Sequence, residues 1–161
     1  MSKSPVVEIA KKICPAVITV IASKDLPKAE NFYSFPYAGK EFIMPKLEKG
    51  EKSKTQKTQI GGGSGFIVSP DGYVFTSNHV VSDTSADYTA VVDPKHKYPA
   101  KVLSRNPIND TAVLKISARA GEEGKDFPYL ELANSNEIEL GEEVIAVGNA
   151  LGEFTDTLST G

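Results

Sequence analysis

Apolar and polar residues alternate in six separate runs along the chain, at residues 16–21, 66–69, 73–76, 88–92, 100–104 and 111–117. A period of two sends successive side chains to opposite faces, so each run predicts a strand with one face inward. Pro70-Asp71-Gly72 supplies a tight turn between the second and third runs, and Asp93-Pro94 separates the fourth from the fifth. Six such strands read as a closed antiparallel barrel. Ahead of them, Ser4-Pro5 is a capping residue followed by proline in a first turn, and Val6, Ile9, Ala10 and Ile13 recur at helical spacing. Pro15 is expected to end this helix, whose apolar stripe would pack on the barrel or on a neighbouring subunit.

Residues 24–60 break the pattern, being rich in lysine, glutamate, proline and glycine, and they predict a long loop. Its second half, 46–57, carries both charge signs with no apolar residue after Leu47 and reads as solvated. Its first half carries Phe32, Tyr33, Phe35, Tyr37 and Phe42, more aromatic surface than water tolerates. The cover is the chain's own barrel, a subunit interface or a substrate cleft.

The third strand runs into Ser77-Asn78, then His79, then the apolar pair Val80-Val81. A side chain so placed is anchored on both sides while its ring stays reachable, which a general base requires; a surface hydrogen-bonding histidine is the ordinary alternative. Further on, the turn-rich run Asn106-Pro107-Ile108-Asn109-Asp110 sets Asp110 at the mouth of the sixth strand. An acid that fixes an imidazole's tautomer has to be presented as rigidly as that.

Three blocks carry a resemblance. GSGFIVSPDGYVFTSNHVV at 63–81, NDTAVLKI at 109–116 and GEEVIAVGNALG at 141–152 resemble successive signature blocks of the HtrA/DegP serine proteases, in that family's order and at roughly its spacing. Weaker similarity runs over residues 4–22. The resemblance implies an all-β, chymotrypsin/trypsin-like fold: a six-stranded antiparallel barrel with an N-terminal helix, plus the first strands of a second barrel. On that basis 1–137 would form the first barrel, with 24–60 a regulatory-type loop. Residues 138–161 would begin the second, with strands at 144–147 and 155–160, and Pro128, Tyr129, Leu130 and Leu132 would form a covering segment. The resemblance also makes His79 general base and then acid, with Asp110 as its orienting partner. It implies unfolded or damaged polypeptides as substrates, no metal or organic cofactor, a homo-oligomer, and the bacterial periplasm or cell envelope.

One departure limits this. The family's nucleophile lies in a later GNSGG block, and none of the 161 residues offers it. Gly62-Gly63-Ser64-Gly65 imitates a nucleophile turn, but it lacks the closing glycine and precedes the histidine. Ser64 is therefore read as the flexible start of a strand. The expectation is an amino-terminal portion of a serine endopeptidase, inactive alone, whose last two strands are disordered or pair with another chain. The rival class is a non-catalytic peptide-binding or self-assembling barrel module.

Composition changes little. A formal charge of -3, with 40% hydrophobic and 24% charged residues over 161, fits one good core or a core plus part of another. An acidic balance gives no reason to expect nucleic acid. Cys14 is the only cysteine, which excludes an intrachain disulfide and leaves the compartment open. The longest apolar run, 15–22, is too short to span a bilayer. Lys11 and Lys12 before it suggest a signal peptide, but the run is β-branched and Glu8 lies upstream, so it reads as a strand and no targeting segment is expected. The glycines at 61–65 lack a phosphate loop's lysine and lead into a strand. His79, His96 and Cys14 fall at no ligand spacing, so no metal site is expected, and His96, among lysines, is given no role.

Overall fold

Val74 is fully buried and Thr76 nearly so, while Tyr73 is 40% exposed, as the alternation at 73–77 requires. The computed structural model describes residues 4–27, 32–37, 40–45, 55–118, 126–148 and 157–161. In chain order its strands are β1 (Val17–Pro27), β2 (Phe32–Tyr37), β3 (Lys40–Pro45), β4 (Thr55–Ile67), β5 (Tyr73–Ser77), β6 (Asp87–Val91), β7 (Lys97–Asn106), β8 (Thr111–Ile116), β9 (Ile145–Gly148) and β10 (Thr157–Thr160).

Six of them close a barrel in the order β1-β4-β5-β8-β7-β6, with β6 returning antiparallel onto β1. Ile18, Val20, Ile67, Val74, Leu114 and Ile116 fill it and are fully buried. Each contributes about 1.5–3 kcal/mol relative to an exposed position. The one hydroxyl in this layer from β5 is satisfied, since Thr76 Oγ1 donates to the Ser64 carbonyl at 2.7 Å. The β4–β5 turn closes at Gly72, whose φ of +91° belongs to the left-handed region. Lys115 ties this turn to β8 by donating to the Asp71 carbonyl and, at 2.8 Å, to its carboxylate.

The expected 24–60 loop is in part regular. β1 runs on to Pro27, β4 begins at Thr55, and β2 and β3 form an antiparallel hairpin with Phe35 opposite Phe42. Residues 24–58 make a compact unit of their own. The signal was present, for Tyr33, Phe35 and Tyr37 alternate with Ser34 and Pro36. A proline inside a run demotes it as a strand, which masked the pattern. The aromatic side chains of this hairpin and residues 46–54 lie outside the described residues.

The helix α1 (Pro5–Ile13) starts as expected, with proline in its first turn, but none of its residues is buried. The α-helix ends at Ile13, ahead of Pro15 as expected, and the chain passes through a 3-10 turn, Cys14–Ala16, into β1. Among the described residues no helix is long and apolar enough to cross a membrane.

The segment expected to cover the barrel does so through a residue the sequence reading passed over. Phe127 is buried, its ring edge-on to Tyr98 at 5.1 Å and its amide bonded to the Pro70 carbonyl at 2.9 Å. Tyr129 and Leu132 remain exposed. Residues 119–125 lie outside the described residues. The strand expected at 155–160 is described from Thr157. β9 and β10 pair with each other, with Val147 opposite Leu158.

Candidate active site

Strands β5 and β8 are neighbours, with Ser77 directly opposite Thr111. Residues just after β5 and just before β8 therefore emerge together at one end of the barrel. After Ser77 the backbone tightens into a 3-10 turn, Asn78–Val81, whose last residue is fully buried and anchors it. On the other side, the Asn106 side-chain oxygen accepts from the amides of Ile108 (3.1 Å) and Asn109 (3.2 Å), forming an Asx turn. That turn delivers Asp110 at φ 49°, a left-handed conformation that aspartate tolerates better than most residues.

Topology thus brings together the two residues singled out in the sequence. The Asp110 carboxylate grips His79 at two points: Oδ1 accepts from the backbone amide at 2.9 Å, and Oδ2 lies 2.7 Å from Nδ1. The Asp110 carbonyl accepts from the Asn78 amide at 3.1 Å. The His79 amide first, then its ring, hold the Asp110 carboxyl below the usual carboxylate range. A carboxylate at Nδ1 places the neutral ring's proton there and leaves the lone pair on Nε2, the tautomer a base needs. The His79 side chain is 73% exposed, so Nε2 is accessible.

The other histidine repeats this contact. His96 donates its amide to Asp93 Oδ1 at 2.9 Å and sets Nδ1 2.6 Å from Oδ2, and its ring is the main cause of the lowered Asp93 carboxyl. Its ring is only partly exposed. A turn Asp three residues before a His was the signal for this pairing.

Ser64 lies well inside β4 rather than at its start, and its carbonyl is taken by Thr76. With Asp110 it lines a hollow of about 630 Å³ whose walls are largely apolar, among them Phe66, Phe75, Leu130 and Val147.

A closed six-stranded barrel with a His–Asp pair at one end defines a trypsin-like fold, and comparison with known proteins agrees. The family described as Trypsin-like peptidase domain matches residues 63–161. Proteins named "Probable periplasmic serine endoprotease DegP-like" match from Chlamydia pneumoniae (31% identical, covering 90% of this chain and 30% of that protein) and Brucella suis biovar 1 (32%, 90% and 32%). The chain spans about a third of the length of these relatives. Among solved structures, an HtrA-type protease AlgW with decapeptide matches with TM-score 0.69 at 24% identity over 98% of this chain and 45% of that one. Deg5 matches with TM-score 0.64 at 23% identity over 97% and 60%. At those identities the structures speak for the fold. The chain belongs to the trypsin-like peptidase domain family, and within it is HtrA/DegP-like.

Proposed function

We propose that this chain supplies the acid–base half of a serine endopeptidase, with His79 as general base and then acid and Asp110 as its orienting partner. The observation that carries this reading is the two-point grip of Asp110 on His79, which fixes ring orientation and tautomer together. In the proposed reaction Nε2 takes the proton of a serine hydroxyl as its oxygen attacks a peptide carbonyl. The same nitrogen then returns the proton to the departing amine, and Asp110 stabilises the intervening imidazolium. The serine and the oxyanion donors would come from a GNSGG block, which has no counterpart in these 161 residues. By themselves they are therefore proposed to be inactive, with residues 1–137 as the first barrel and 138–161 as the start of the second.

The relatives' names support an endoprotease of the bacterial periplasm. The HtrA resemblance supports unfolded polypeptides as substrates and assembly with further copies. The test is the product of the whole gene acting on a permanently unfolded polypeptide. His79→Ala is expected to lower kcat by roughly a million-fold and Asp110→Asn by about 10⁴-fold. Wild-type rates in His79→Ala would end the reading.

A further inference from the structure

Outside regular strands each backbone carbonyl still needs a partner. In the turn that carries His79, and just beyond it, three alternate carbonyls find theirs in side chains. The His79 carbonyl accepts from Ser82 Oγ at 3.1 Å, that of Val81 from Arg105 Nε at 2.7 Å, and that of Asp83 from the Tyr88 hydroxyl at 2.7 Å. Ser82 is local, whereas Tyr88 stands on β6 and Arg105 on β7, so the latter two fasten the turn to the barrel. Burial pushes the Tyr88 phenol up, and the positive charge of Arg105 works against that.

Arg105 sits one residue before Asn106, whose side chain shapes the turn ending in Asp110. The last two residues of β7 therefore act on both members of the pair, Arg105 through the Val81 carbonyl and Asn106 through the Asp110 turn. The amino-terminal side of the His79 turn is held by Asp110 itself. Its carboxy-terminal side is held by a charge-assisted bond from a half-buried guanidinium, stronger than a neutral one.

From this geometry we infer that Arg105 is a positioning residue that holds the His79 imidazole in register with Asp110. Its value to catalysis rests on the reading of His79 as a base. The positional claim is testable without it, in the 161-residue chain by NMR. Arg105→Met keeps the length of the stem and removes every donor. The amides of Asn78 and His79 are then expected to exchange about tenfold faster or more. The Nδ1 proton signal of His79 broadens, and the Asp110 carboxyl titrates closer to its ordinary range. The His96–Asp93 pair and the amide of Leu114 are internal controls, expected to stay unchanged. Arg105→Lys, which restores a cationic donor, recovers part of the His79 signature, a recovery that a loss of packing alone would not produce.

A folded Arg105→Met chain with native signals at Asn78, His79 and Asp110 overturns the inference. If that variant does not fold, Arg105→Gln decides, because its shorter stem withdraws the donor from the Val81 carbonyl while keeping a polar side chain. Unaltered His79 signals there overturn the inference equally. Loss of the catalytic reading shows elsewhere, as activity retained by His79→Ala in the whole-gene product, and leaves these spectra untouched.

Discussion

A Cβ added to Gly63 would stand 2.5 Å from Cγ2 of Val80, the residue next to His79. No real Cβ contact is that short, so the absence of a side chain on β4 makes room for the turn that presents the imidazole. The glycine-rich run, like a phosphate loop in composition only, thus has a packing reason at Gly63.

Gly63→Ala is accordingly expected to cost about 1–3 kcal/mol, the range for overpacking a filled site. It should also loosen the His79–Asp110 contact. Urea denaturation measures the first effect, and amide exchange at His79 the second. A change in stability with native exchange at His79 would mean that Val80 moves without its neighbour.

Asp110 makes acid stability a probe of the pair. Its folded carboxyl is lowered, chiefly by the His79 amide. The unfolded chain therefore binds the proton more readily, and the contribution to stability is present above the ordinary value of about 3.9. It is lost as pH falls through the lower folded value. Asp71, held down mainly by Lys115, and Asp93, held down mainly by His96, behave alike, so a raw acid transition mixes all three. The stability difference between wild type and Asp110→Asn isolates one of them. It should be constant above about pH 5 and shrink below about pH 4. A difference independent of pH would show that the carboxylate gains nothing from His79.

The barrel was legible because its strands bury one face, and burial on one face writes itself into the sequence as alternation. The six expected runs fall on the six barrel strands, within a few residues at most ends. His79 and Asp110 were legible as turn residues at strand ends, but their contact needed the β5–β8 neighbourhood, which no local pattern carries. Three things were hidden for physical reasons. Pro36 disguised β2, and Arg105 looks like any exposed cation until the Val81 carbonyl appears beside it. Phe127 was overlooked because a single inward aromatic in a covering segment has no period.

Phe127, itself outside any regular strand, is the anchor of that segment, buried against Tyr98 of β7. Phe127→Ala removes an aromatic ring from a filled site, and the expected loss is about 3–5 kcal/mol. Tyr129→Ala, two residues on and 46% exposed, is expected to stay within about 0.5 kcal/mol. Paired denaturation curves of the two variants check the contrast. Equal losses would mean that the segment is held by its backbone bonds to Pro70 and Ile67 rather than by the ring.

The final expectation concerns Ser64, the serine whose glycine-flanked setting imitates a nucleophile. A catalytic serine needs a sharp turn that exposes its oxygen, with amide donors beside it for the oxyanion. Ser64 instead lies in β4, in extended backbone, with its carbonyl engaged by the buried Thr76 hydroxyl. Loss of the nucleophile alone costs on the order of a million-fold in a comparable triad. The 161-residue chain should therefore cleave no unfolded polypeptide above background and take up no serine-directed phosphonate, as intact-mass spectrometry would read it. Stoichiometric labelling lost on Ser64→Ala would show that β4 carries a nucleophile after all, and would reverse the order in which this barrel is thought to assemble its chemistry.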